Sequence, residues 1–236
     1  MPWVGKFHGK IKQRRYNMKV LVLCDDLWHP GEVILRGMRK IDRSKYDLDF
    51  VMACKDILTN DMIREYDVIV NAKGNCHSPG NASAPWFEPG VTAVMPDDFR
   101  AYIEEGHGFI ALHSGNTYSR TRMPAMAALT GNDFIHHPPQ CTIDFKITAE
   151  HPITQGVEPF SVRDEHYCID LHAADAEVFL TGTSDTAAGT QVAGYTRLMG
   201  KGRFCCLTPG HNCAVIEHPE FAKLLCNAMD WCAGNL

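Results

Sequence analysis

No stretch of this chain is apolar for long enough to cross a membrane. Hydrophobic residues make up an ordinary 45% of the 236 positions, and every run falls well short of the roughly 20 residues that a spanning helix needs. An excess of positive charge is also missing. There are 23 Lys and Arg against 28 Asp and Glu, a formal net charge of -5, which argues against a nucleic-acid partner. The basic residues Lys6, Lys10, Lys12, Arg14 and Arg15 form one cluster within positions 1–17. That stretch reads as a solvated extension and lacks the apolar core of a secretory signal peptide. Ten cysteines are present, yet none pair at CxxC or zinc-knuckle spacing. Cys24, Cys141, Cys205 and Cys206 fall in expected strands, and Cys226 and Cys232 in an expected last helix. They read as buried, reduced thiols of a cytoplasmic protein. No repeat, low-complexity segment or linker divides the chain, so residues 18–236 are expected to form a single domain.

The first 72 residues alternate between apolar runs and amphipathic stretches. Met18 to Cys24 is nearly continuous in apolar character, as a strand covered on both faces must be. Pro30 and Gly31 open a helix through about Ile41, with Val33, Ile34, Met38 and Ile41 on one side. Tyr46 to Met52 and Tyr66 to Asn71 read as the second and third strands. A short helix lies between them, capped by Thr59 or Asn60. This β-α-β-α-β order predicts an α/β fold with a mostly parallel central sheet flanked by helices. Later strands are expected near 142–148, 177–181, 191–196 and 203–207, and His218-Pro219 starts the final helix. The Gly/Pro/Asn/Ser-rich segment 74–90 is too long for a simple connection and reads as a functional loop.

Ligands of open α/β sheets bind beyond the carboxyl ends of the strands. Asp25, Asp26 and His29 follow the first strand. Asn75, Cys76 and His77 follow the third, and His211 and Asn212 follow the strand near 203–207. The sharpest feature is Gly108-Phe109-Ile110-Ala111-Leu112-His113-Ser114-Gly115, a buried strand that ends in a polar pair and a glycine. That is the pattern of a nucleophile elbow, with His113 where a Ser or Cys would stand. Two imidazoles cannot run acyl transfer by the usual route. They can act as general acid and base, or bind a metal. His29, His77, His113 and His211 would suit zinc or a similar divalent ion, although no HxH or HExxH spacing supports it. The Asp164-Glu165-His166-Tyr167 cluster, taken as strand, would turn only one of its two carboxylates to the site, and Glu165 is preferred. His113, His211 and Glu165 are therefore the catalytic candidates. Asp26, His77, Ser114, Asn116, His136, His137 and Asp164 are the candidate substrate contacts, and the His136-His137-Pro138-Pro139 segment reads as a rigid loop.

Taken together, the Leu-His-Ser elbow, His136-His137-Pro138-Pro139, His151-Pro152-Ile153-Thr154-Gln155-Gly156, Asp164-Glu165-His166-Tyr167 and Gly200-Lys201-Gly202-Arg203 through Pro209-Gly210-His211 resemble the ThuA-like, or trehalose-utilisation, family over about 18–234. The resemblance implies a flavodoxin-like fold of the class I glutamine amidotransferase type, without the amidotransferase cysteine. In such a sheet His211 takes the place of the catalytic base. The resemblance also implies a role in carbohydrate metabolism, on disaccharides and their keto forms. Asn116 stands where members of the trehalose type have a second His, and Asn212 where they have an acid. The expected ligand is a small carbohydrate, with no nucleotide cofactor and no membrane partner, and a homo-oligomer is compatible. Three readings follow: an acid–base or metal-assisted enzyme on a sugar or keto-sugar, a non-catalytic sugar-binding or regulatory protein, and a hydrolase with a displaced nucleophile such as Cys76.

Overall fold

The computed structural model describes residues 17–52, 54–75 and 86–236. His77, Cys76 and the basic cluster before residue 17 lie outside the described residues. The strands are β1 (Met18–Leu23), β2 (Tyr46–Val51), β3 (Val68–Asn71), β4 (Gly108–Leu112), β5 (Asn132–His136), β6 (Cys141–Ile147), β7 (Phe160–Asp164), β8 (Cys168–Leu171), β9 (Glu177–Thr183), β10 (Thr190–Met199) and β11 (Gly202–Leu207). The helices are α1 (Gly31–Gly37), α2 (Cys54–Ile57), α3 (Asn60–Ile63), α4 (Pro96–Glu105), α5 (Pro124–Thr130), α6 (Cys213–Ile216) and α7 (Pro219–Cys232).

Nine strands form one sheet in the order β2-β1-β3-β4-β11-β10-β9-β6-β7. The first five run parallel. From β11 onward each neighbour is antiparallel, so β9 and β7 return to the direction of the first five. β4 therefore sits at the interior of a mostly parallel sheet. β5 and β8 pair separately.

The apolar runs explain the parallel half. In β1, Val20 and Val22 pack on one face with Ile34 and Met38 of the α1 segment and with the α7 residues Phe221, Leu224 and Leu225. Leu21 and Leu23 pack on the other face with Phe99, Tyr102 and Ile103 of α4. All five residues of β4 are buried. Burying each such large side chain contributes roughly 1.5–3 kcal/mol. Local signals set the helix starts. Thr59 accepts the amide of Met62 at 3.1 Å and His218 accepts that of Glu220 at 3.3 Å, while Pro96, Pro124 and Pro219 occupy first turns where a missing N–H costs nothing.

The antiparallel half departs from the sequence reading. Over 160–171 only the Asp164-Glu165-His166-Tyr167 cluster was taken as strand, whereas β7 ends at Asp164 and β8 begins at Cys168. In β7 the inward positions are Phe160, Val162 and Asp164, so a buried carboxylate breaks the apolar alternation. The strand ends there, and Glu165 follows it instead of sharing its pleat. His136 is the exposed last residue of β5 and not part of a loop. The helix expected through Ile41 stops at Gly37 and tightens into a single 3-10 turn.

A flat sheet would set β7 four strand spacings, about 19 Å, from β11. Yet the Asp164 carboxylate accepts the amide of Gly210, three residues past β11, at 2.8 Å. Three residues reach at most about 10 Å, so the antiparallel half curls back. That curl carries Glu165 to the end of the parallel strands.

Candidate functional site

The elbow after β4 is a strained turn. His113 has φ +44°, a left-handed conformation that costs a non-glycine residue on the order of 1–3 kcal/mol unless its surroundings enforce it. Here they do. The buried Asn116 side-chain amide donates to the carbonyls of Ala111 (2.9 Å), His113 (3.3 Å) and Leu207 (3.3 Å), tying β4, the turn and β11 together. Nδ1 of His113 lies 2.8 Å from the Thr208 carbonyl. A carbonyl only accepts, so Nδ1 carries the proton and the neutral ring presents a bare Nε2.

His29 is oriented in the same way. Its Nδ1 lies 2.8 Å from Oδ1 of Asp26, which turns Nε2 toward Glu165 and the Tyr167 hydroxyl. Asp26 is itself fixed by the amides of Trp28 (2.9 Å), His29 (3.0 Å) and Gly74 (2.8 Å). The neighbouring Asp25 adopts φ +76°, its side chain accepts from Gly31, and its carbonyl receives the buried ammonium of Lys73. Asp164 holds the backbone at the third histidine, accepting the amides of Gly210 and His211 at 2.8 and 3.1 Å.

All these rings meet at one atom. Oε2 of Glu165 lies 3.1 Å from His211 Nδ1, 3.4 Å from His113 Nε2, 3.5 Å from His137 Nε2 and 3.9 Å from His29 Nε2. His137 Nδ1 is held by the Pro138 carbonyl at 2.8 Å, so its bare nitrogen also faces the carboxylate. Tyr167 stacks on His113 with ring centres 4.2 Å apart. Burial opposes charge on Glu165, but the surrounding imidazoles outweigh it and hold the carboxyl well below the usual range. Burial likewise lowers His29, yet Asp26 and Glu165 prevail and raise it to about 9. At His113 burial wins and the pKa falls. At Asp164 burial also wins, and the pKa rises.

Lone pairs cannot face a carboxylate without something between them. His113 Nε2 and His211 Nδ1 are buried and have no hydrogen-bond partner. Either protons or a cation must satisfy them. One ligand atom each from His29, His113, Glu165 and His211 lies within 4.8 Å of the other three, and three imidazoles with a carboxylate are a donor set that suits a borderline divalent ion. Their partners Asp26 and the Thr208 carbonyl are the outer-shell groups that orient metal-binding imidazoles. The residues fit such an ion.

The cluster floors a cavity of about 870 Å³, lined by His29, His137, Glu165, Tyr167 and His211 together with Trp28, Phe134, Arg122 and Thr117, among others. The structure thus brings together His29, His113, His137, Glu165 and His211. It does not bring Ser114, Asn116 or Asp164 to the cavity. All three are buried behind it, with Asn116 and Asp164 holding backbone in place. Asp26 acts on His29 and not on the cavity, and His136 does not line it. Sequence reasoning missed Tyr167, although it adjoins Glu165, and also Trp28 and Arg122, which no spacing marked. The nine described cysteines are free, and no described helix is long and apolar enough to cross a membrane.

Solved structures share this architecture. A ThuA-like protein from Bacteroides uniformis superposes with TM-score 0.67 at 20% identity, covering 96% of this chain and 95% of its own. A ThuA-like protein from Parabacteroides merdae gives TM-score 0.70 at 16% identity, with 92% and 90% coverage. A β-galactosidase from Rahnella sp. R3 matches 91% of this chain with only 31% of its own length, at TM-score 0.61 and 15% identity. At these identities the likeness is one of fold. No curated protein matches the sequence. The profile of the trehalose-utilisation family matches residues 20–232, nearly the whole of the described domain, and the chain belongs to the trehalose-utilisation (ThuA) family.

Proposed function

We propose that this protein is a metal-assisted enzyme acting on a sugar or keto-sugar by acid–base chemistry. The observation that carries the reading is the convergence of imidazole nitrogens of His29, His113 and His211 on Oε2 of Glu165 at the floor of the cavity, two of them without a hydrogen-bond partner. His29, His113, His211 and Glu165 would hold the ion. A divalent metal such as zinc supplies Lewis acidity toward a carbonyl oxygen. A ketone beside a C–H makes that proton removable, and isomerisation or elimination then requires a base at the cavity wall. With the inner histidines engaged, His137 presents a bare Nε2 on a half-exposed ring and is placed to take up or return the proton. Tyr167 and Phe134 pack beside it and shield that side of the cavity from water. His113 holds the projecting position of the elbow and Ser114 is buried beside it, which disfavours a covalent hydrolase. The family supports a carbohydrate as ligand, and a cytoplasmic location accords with nine free thiols.

Protein purified without a histidine tag should carry close to one equivalent of divalent metal by elemental analysis, or take it up on zinc addition. Less than one-tenth equivalent, with none recovered on adding zinc, would rule out the metal reading. Asp26→Asn tests the support behind it. The amide keeps the shape but loses the charge that orients His29, and outer-shell changes typically cost about 10–100-fold in metal affinity. Competition with a chelating dye should show a loss of that order, with the far-UV circular dichroism unchanged.

A further inference from the structure

Among the described residues, the cavity above the histidine cluster is lined by one permanently cationic side chain, Arg122. It is exposed, and among the described residues its guanidinium has no hydrogen bond or ion pair. Arg120, two positions earlier, is fully engaged, with Asp133 and Asp170 each at 2.8 Å. No such acid serves Arg122. Among the described residues the one carboxylate lining the cavity is Glu165, and the imidazoles occupy it. Asp26 and Asp164, the nearby alternatives, are buried and bound to backbone amides. The mouth therefore offers a free guanidinium over a floor whose own negative charge is already matched.

Trp28 lines the same cavity and is 68% exposed. An exposed indole in the lining of a concave site offers a ligand a large apolar face with a polar N–H at its edge, and that flat face suits the C–H face of a sugar ring. The cavity, about 870 Å³, lies toward the upper end of the roughly 300–1,000 Å³ typical of ligand sites, which leaves room for more than one ring.

Resting on the carbohydrate reading above, we infer that the ligand is an anionic carbohydrate, with a ring stacked on Trp28 and a carboxylate or phosphate gripped by Arg122. Both groups are planar or multidentate acceptors, and a guanidinium binds them through paired N–H donors in a way that a lysine cannot.

Calorimetry on the full chain as isolated, with trehalose, trehalose 6-phosphate and a glucuronic-acid-containing disaccharide, tests this. At least one anionic sugar should bind about 10-fold or more tightly than trehalose, and the identity of the tighter one separates phosphate from carboxylate. Arg122→Gln should erase that preference while leaving trehalose binding within about twofold. Trp28→Ala should weaken all three. Both side chains are exposed, and thermal melts confirm that the variants are folded. Equal binding of neutral and anionic sugars, or a preference that survives Arg122→Gln, overturns the inference while leaving the carbohydrate reading intact. If none of the three sugars binds to wild type, the carbohydrate reading itself falls.

Discussion

His113→Ala is expected to remove metal binding and to lower turnover of a keto-disaccharide by at least about 10²–10⁴-fold, the range usually lost with an acid–base group. The reasoning starts at the backbone. His113 occupies the elbow at φ +44°, where the turn leaves its side chain no alternative direction. Its Nδ1 is fixed on the Thr208 carbonyl, so the ring cannot rotate away from Glu165. Alanine removes one of the four donor atoms and leaves the Thr208 carbonyl without that partner. The unpaired group costs on the order of 1–3 kcal/mol, which a protein with a core on both faces of its sheet can bear. Thermal melts should show a moderate fall and folded protein. Ser114→Ala is the control. Ser114 is buried behind the cavity, and loss of a neutral hydroxyl contact is worth about 0.5–1.5 kcal/mol, so turnover should change little. Metal content and turnover are to be measured on both variants. A dead Ser114→Ala beside an active His113→Ala would restore a serine hydrolase and remove the present assignment.

The elbow was legible because its causes are local. Five apolar residues, then a polar pair and a glycine, can hardly be anything but a buried strand ending in a sharp turn. The parallel half was legible for a related reason. Strands covered on both faces must be continuously apolar, and residues 20–23 and 68–70 are. The antiparallel half was not. Alternation in β6 or β9 says which face is wet but not which strand lies alongside. The arrival of Glu165 depends on pairing through β10, β9 and β6 followed by a curl, and none of this is written in residues 160–165 themselves. Glu165, and not Asp164, lines the cavity because β7 ends at Asp164, and not because the two occupy opposite faces of one strand. The roles of Asn116 and Asp164 were hidden for another reason. Their partners are backbone carbonyls and amides, which every residue possesses and no sequence pattern displays. Trp28 and Arg122 are single exposed residues whose meaning comes from the cavity they share.

Gly115→Ala should be the most damaging single-methyl change in the site. A Cβ on Gly115 would lie 1.9 Å from the carbonyl oxygen of Asn71, far inside any tolerated contact, and that atom is main chain at the end of β3. No side-chain rotation relieves the clash, so either the elbow or the β3 end must move. Both are pinned. β3 pairs with β4 and β1 on its two sides, and the Asn116 amide ties the His113 carbonyl of the elbow to those of Ala111 in β4 and Leu207 in β11. Overpacking of this kind typically costs 1–3 kcal/mol when side chains can yield, and a clash of backbone on backbone in a pinned turn should exceed that, at about 4 kcal/mol or more. For a domain of this size each kcal/mol lowers Tm by roughly 2–4 °C, so a drop of about 10 °C or complete loss of soluble protein is expected. Gly90→Ala supplies the comparison. Gly90 has φ +78° and nothing within 4 Å of the added methyl, so only the cost of a left-handed alanine applies, about 1–2 kcal/mol. Differential scanning fluorimetry of the two variants separates conformational strain from steric exclusion. If Gly115→Ala melts no lower than Gly90→Ala, the close approach of the elbow to β3 does not fix the turn, and the reason for His113 pointing at Glu165 must be sought in Asn116 alone.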